Sequence, residues 1–216
     1  MSDRSSNKLS NDDIDGLIVH AYNNFLSGMM GYSELALLDC ENPTQIEYLN
    51  QSMESGYEAV HFGKTLLASI GRLQANMKDF KLEELLAGAL NMDNVEINLS
   101  GFELHKTTLI RTNIDWFKEC LVCLVDFLTK YSKANQIEIS FDLDKKKNKL
   151  NVALVVDGCS LSNEDAQNLF VPFYSSKNIL GEKDIGLSKA KGFFGQMNAE
   201  LSWVNGEGFL LDISLR

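Results

Sequence analysis

His20 stands in the stretch Gly16-Leu17-Ile18-Val19-His20-Ala21-Tyr22-Asn23-Asn24-Phe25-Leu26, which runs on through Ser27 to Leu38. Apolar residues at Ile14, Leu17, Ile18, Ala21, Phe25, Met29, Tyr32 and Ala36 recur at threes and fours. That spacing predicts an amphipathic helix with one buried stripe. His20, Asn24, Ser27 and Gly31 fall on the other side. A neutral imidazole left on a solvated face, with Asn24 one turn along, is a candidate nucleophile or proton carrier. The local pattern alone also fits an ordinary surface histidine, so the chemistry has to be argued from the elements around it.

Composition bounds those elements. The chain has 216 residues, enough for one large domain or two small ones with real cores, and its apolar fraction of 44% argues against disorder. Asp and Glu outnumber Lys and Arg 30 to 20, a net charge of -10 that repels a phosphate backbone, so no nucleic-acid partner is expected. No apolar run is long enough to span a bilayer, and the polar start Met1 to Asp13 lacks the layout of a secretory signal. No membrane association and a cytoplasmic location are expected. Cys120-x-x-Cys123 lies in the apolar run Phe117 to Leu128 without a second ligand pair, so buried thiols are expected rather than a metal site.

The organisation follows from periodicity. Asn11, Asp12 and Asp13 supply capping candidates for a first helix running to about Asp39, and Pro43 suits the first turn of a second. Ile46, Leu49, Met53, Tyr57, Val60, Lys64, Leu67, Ile70 and Leu73 continue a three-four spacing to about Gln74. Two such helices cannot bury their stripes against each other alone, which predicts a homodimer with a four-helix bundle. Met77 to Asp79 reads as a polar linker, and Leu82 to Leu90 as a compact helix. Strands are predicted at Val95 to Leu99, Thr108 to Thr112, Gln136 to Leu143, Leu150 to Val156, Ala199 to Val204 and Phe209 to Leu215. Helices are predicted at Ile114 to Lys130, Glu164 to Phe170 and Ile185 to Phe194. The fold class is therefore α+β: a helical hairpin over residues 1–77, then an α/β sandwich with a mainly antiparallel sheet over 78–216. His61 and His105 have no matching partner residues in sequence and are read as structural.

Two motifs in this order resemble the cytoplasmic core of sensor histidine kinases. His20-Ala21-Tyr22-Asn23-Asn24-Phe25-Leu26 with Gly31-Tyr32-Ser33-Glu34-Leu35 is similar to the phosphoacceptor box H-D-F-N-N-x-L…G-x-x-E-L. Phe170-Val171-Pro172-Phe173-Tyr174-Ser175-Ser176-Lys177 is similar to the F-x-P-F-x-x-x-K box. The resemblance covers about residues 14 to 216. It implies a dimerisation and histidine-phosphotransfer hairpin followed by a GHKL-type ATPase-like domain.

The departures fall where that family binds nucleotide. The N box aligns with Cys123-Leu124-Val125-Asp126-Phe127-Leu128, placing Phe127 where a magnesium-binding asparagine belongs. A phenyl ring cannot replace the hard oxygen ligands magnesium requires, and Asp126, one residue away on a helix, points elsewhere. The D-x-G-x-G box survives only as Asp157-Gly158-Cys159-Ser160. The G-x-G-L-G-L-S box becomes Glu182-Lys183-Asp184-Ile185-Gly186-Leu187-Ser188, with two acids where glycine amides would approach phosphates. Ala21 also replaces the acid that follows the histidine and assists it during autophosphorylation.

The resemblance and its departures together imply a histidine phosphotransferase of a two-component phosphorelay. His20 would carry phosphoryl groups between receiver aspartates without ATP, cofactor or bound metal of its own. Asn24 would hydrogen-bond a phosphoryl oxygen or a water, with Asn23 and Ser27 on the receiver-docking face. Phe127, Asp157 and Gly186 mark the degenerate nucleotide site. Two alternatives stay open: an inert pseudokinase that binds response regulators or kinases, and a receiver phosphatase using Asn24.

Overall fold

The computed structural model describes residues 11–90, 95–132, 136–172, 174 and 185–215; the side chains of 11–18 and of His20 also lie outside the described residues. A helical hairpin comes first, formed by α1 (Asn11–Leu38) and α2 (Pro43–Ser69). Pro43 occupies the first turn of α2, and the Asn42 side chain accepts hydrogen bonds from the amides of Thr44 (3.0 Å) and Gln45 (3.4 Å). A fixed φ without an N–H to lose, followed by a capping carbonyl, explains why the chain restarts a helix there.

Three stripes run down α1, each spaced by threes and fours. Val19, Asn23, Leu26, Met30, Ser33 and Leu37 are the least exposed and face α2. Phe25, Met29 and Tyr32 remain 72%, 65% and 77% exposed, beside Tyr22 at 47%, so this part of the stripe expected to be buried does not pack within the hairpin. The sequence carries two apolar stripes of equal period, and close approach decides between them. A Cβ at Gly56 would lie 2.7 Å from Met30, and one at Gly63 2.6 Å from Asn23 Oδ1, so these two glycines let α2 sit directly on the inward stripe.

The second helix ends earlier than its apolar spacing suggests. Gly71, at φ 71°, takes the left-handed conformation, its amide bonds to Ala68 O (2.9 Å), and the Arg72 amide bonds to Leu67 O (2.7 Å). This is a helix-terminating glycine arrangement, so the predicted run to Gln74 is too long. Residues 78 and 79, read as linker, belong to β1 (Lys78–Lys81), which pairs antiparallel with β3 (Leu109–Thr112). Between them lie α3 (Leu82–Leu86), shorter than the predicted helix, β2 (Glu96–Ser100) and α4 (Phe102–His105).

The remaining elements are α5 (Ile114–Ser132), β4 (Gln136–Asp144), β5 (Lys149–Val155), α6 (Asn163–Asn168), α7 (Gly186–Gln196), β6 (Ala199–Val204) and β7 (Gly208–Ser214). Five strands form one sheet in the order β2-β4-β5-β7-β6, antiparallel except for the parallel pair β2 and β4. Alternate residues Ile137, Ile139, Leu150, Leu154, Phe209 and Leu211 are buried beneath α5 and α7, which contribute Leu124, Leu128, Phe193 and Phe194. The predicted α+β class, hairpin then mainly antiparallel α/β sandwich, is the one observed.

One seam joins the two parts. A Cβ at Gly192 on α7 would collide with the carbonyl oxygen of Ala68 and lie 2.8 Å from that of Ser69, so α7 rests its backbone on the last turn of α2. Gly192→Ala is expected to cost about 1–3 kcal/mol in denaturant unfolding through this overpacking. Gly195→Ala on the same helix, where a Cβ meets nothing within 4 Å, should be neutral or mildly stabilising.

Candidate functional site

The third stripe of α1 contains positions 20, 24, 27, 31, 35 and 38. Asn24, Ser27, Leu35 and Leu38 are exposed, the two leucines at 60% and 79%. Ser27 Oγ donates to Asn23 O at 2.8 Å, which ties the hydroxyl to its own helix. Asn23 belongs to the inward stripe: its Oδ1 is buried against Gly63 without a hydrogen-bond partner. The structure therefore brings Asn24 and Ser27 to the side of position 20 and turns the Asn23 carbonyl toward α2.

One edge of α2 borders this stripe. Tyr57 Oη donates to Glu34 Oε1 at 3.3 Å across the hairpin, and Asn50, Glu54 and His61 share the Tyr57 edge by helical spacing. His61 then meets the second domain. Its ring stacks on Trp116 of α5 (centroids 6.4 Å, planes within 10°), and its Nε2 lies 3.4 Å from Glu119 Oε1. Lys189 of α7, only 6% exposed, places its ammonium 2.5 Å from the same Glu119 oxygen and 5.7 Å over the Trp116 ring. A buried ammonium needs such a carboxylate and aromatic face to offset its lost hydration. None of this cluster was legible in sequence, because its members come from three elements and share no spacing.

The segment aligned with a nucleotide site has a different content. Phe127 is 4% exposed, stacked on Tyr131 (5.8 Å) and edge-on to Trp203 (5.9 Å) and Phe209 (5.5 Å). Asp126 turns away and pairs with Lys130 at 2.6 Å. The turn after β5 is fastened to the β6–β7 turn: Asn205 Oδ1 accepts from Leu161 N (3.0 Å) and Trp203 Nε1 (2.7 Å), Asn205 Nδ2 donates to Leu161 O (3.1 Å), and Gly206 N donates to Cys159 O (2.8 Å). Tyr131 Oη donates to Ser160 O at 2.5 Å. Asp157 itself is exposed, and Gly186 opens α7. These described residues do not fit a magnesium nucleotide: the position that the motif resemblance aligns with the ion's oxygen ligand is a phenyl ring inside an aromatic cluster. Glu182, Asp184, Phe173 and Ser175 to Lys177 lie outside the described residues.

Solved structures share this arrangement of hairpin and sheet domain. The histidine kinase AdeS of Acinetobacter baumannii aligns with a TM-score of 0.54 at 16% identity, over 88% of this chain and 95% of its own. Full-length ShkA, solved in complex with AMPPNP, aligns with a TM-score of 0.61 at 14% identity over 94% of this chain and 46% of its own. The nucleotide-free catalytic domain of the histidine kinase ThkA aligns at 0.50 and 17% identity over 64% of this chain and 97% of its own. The fold is that of a sensor histidine kinase core. No protein-family model and no curated protein matches the sequence. At these identities the likeness fixes the kinase-core fold alone.

Within that fold the cysteines are packing groups. Cys120 is fully buried, which pushes its thiol far above the ordinary range, and burial pushes Cys159 up to about 11. Both stay protonated and poorly nucleophilic at neutral pH. Cys123 is half-buried, so the expectation of two buried thiols holds for one of the pair. Among the described residues no group of His, Cys, Asp and Glu is arranged to hold a metal ion, and no helix is long and apolar enough to cross a membrane.

The aromatic filling has a measurable weight. Phe127→Ala should lower unfolding free energy by about 3–5 kcal/mol, the range for emptying a buried aromatic site. Asp126→Ala, which removes only an exposed pair one residue away, should change it by no more than about 0.5 kcal/mol in the same measurement.

Proposed function

We propose that this chain is a histidine phosphotransferase of a two-component phosphorelay, with His20 as the phosphoacceptor and ATP playing no part. The observation that carries this reading is Phe127, buried among Tyr131, Trp203 and Phe209 at the position aligned with a magnesium ligand, in a chain that keeps the histidine box. An aspartyl phosphate on a receiver domain is already a reactive donor. In transfer, a neutral ring nitrogen of His20 attacks phosphorus, the N–P bond forms, the P–O bond breaks, and the carboxylate leaves with the electron pair. The receiver supplies its own magnesium and lysine, so what this chain must supply is position. Ala21 is compatible with such a step, because no carboxylate is required to assist an imidazole facing an activated donor.

The second domain serves this reading as a fixed wall beside the histidine-bearing stripe, held by Gly192 against Ala68 and by the cluster of His61, Trp116, Glu119 and Lys189. Dimerisation belongs to the proposal as well. Tyr22, Phe25, Met29 and Tyr32 form an exposed apolar stripe separate from the His20 side, the kind of face that a second copy covers in a four-helix bundle. The exposed Asn24 favours one further reading, receiver dephosphorylation through a water held by its amide.

Incubation with a radiolabelled phospho-receiver separates these readings. Label is expected to move to the wild-type protein and to be absent from His20→Ala, while Asn24→Ala retains transfer at a reduced rate. Receiver dephosphorylation that survives His20→Ala and is lost in Asn24→Ala would replace transfer by the phosphatase reading. Binding without either reaction would leave the inert pseudokinase.

A further inference from the structure

The charge of the chain is not spread along it. Between Leu9 and Gly63 there is no Lys or Arg, whereas Asp12, Asp13, Asp15, Glu34, Asp39, Glu41, Glu47, Glu54 and Glu58 all fall there, so that with Lys64 counted -8 of the net -10 resides in the hairpin. Six of the nine, from Glu34 to Glu58, are exposed. Among the described residues none of these six takes part in an ion pair; Glu34 and Glu47 accept only neutral hydrogen bonds, from Tyr57 and Gln51. A solvated helical hairpin ordinarily interleaves both signs, because opposite charges one turn apart support the helix and like charges oppose it.

The charges flank a face that also carries apolar anchors. Leu35 and Leu38 project from the same stripe as position 20, and Glu54 borders that stripe on the Tyr57 edge of α2 with Glu58 one turn along. Beyond His61 the wall adds the exposed Asp115 and the half-exposed Glu119; the nearest cation on α2 is Lys64, and Lys189 is buried. A face with exposed leucines and an acidic rim fits a partner whose own docking surface is apolar at its centre and rich in Lys and Arg around it.

We infer that the receiver docking on the His20 side presents a basic rim and is captured by the acidic hairpin, so salt weakens its binding while strengthening the dimer. This rests on the proposed phosphotransfer reading and adds the partner's chemistry to it. The opposite signs follow from one charge distribution. Two copies of a hairpin at -8 repel one another and associate better when screened, whereas a basic receiver is attracted and associates less well.

The test uses the full chain and the receiver domains encoded in its source genome. Receiver affinity and dimer dissociation are measured at about 50 and about 300 mM NaCl, a span over which the screening length falls more than twofold. The best-binding receiver should lose about tenfold in affinity across that span while the dimer tightens, and E54Q/E58Q should weaken that receiver about fivefold at low salt and flatten its salt dependence. Thermal melting of E54Q/E58Q verifies that the variant is folded. Absence of receiver binding at low salt, affinity independent of salt, or affinity unchanged in E54Q/E58Q would each overturn the inference. A salt-sensitive complex that passes no phosphate to His20 would retire the phosphotransfer reading and leave the docking face standing; transfer through a salt-insensitive complex would do the reverse.

Discussion

The contact between Gly192 and the carbonyls of Ala68 and Ser69 is the constraint on which the arrangement of the molecule depends. Helix α7 can approach the end of α2 only because there is no side chain at that point. Once it does, Trp116, Glu119 and Lys189 are brought within reach of His61. The seam lies level with the first turns of α1, because Asn23 packs on Gly63 and Met30 on Gly56 in the antiparallel hairpin. The sheet domain therefore stands beside the segment that carries His20. A held arrangement of this kind suits the docking wall proposed above.

The aromatic cluster supports the same division of labour. In a kinase-core fold, the layer between α5 and the ends of the strands is where a nucleotide would need polar ligands and glycine-lined approach. Here Phe127 joins Tyr131, Trp203 and Phe209, and Asn205 latches the turn after β5 to the neighbouring turn with its two side-chain hydrogen bonds to Leu161. This layer is apolar core. Stability gained there does not depend on a ligand, which suits the docking role proposed for this domain.

Much of the fold was legible in the sequence because it rests on local signals: the three-four spacing of the hairpin, Pro43 as restart, alternation in the strands, and the turn at Asn205 to Gly208. Three features depart from the local pattern for physical reasons. Two apolar stripes of α1 share one period, and only the glycines of α2 select the inward one. Leu73 continues the spacing of α2 beyond Gly71, whose left-handed conformation stops the helix. Strand β1, four residues with three exposed side chains, has no alternation to detect. Of the candidate site, the shared helical face of position 20, Asn24 and Ser27 follows from spacing, while the seam does not, since His61, Trp116, Glu119 and Lys189 converge only through tertiary packing.

Calorimetric titration of the full chain with Mg-ATP tests most directly the claim that this kinase-core fold works without nucleotide. No saturable heat is expected up to about 1 mM nucleotide, the weak end of specific small-ligand binding. A stoichiometric isotherm with a micromolar dissociation constant, followed by label from ATP on His20, would contradict it.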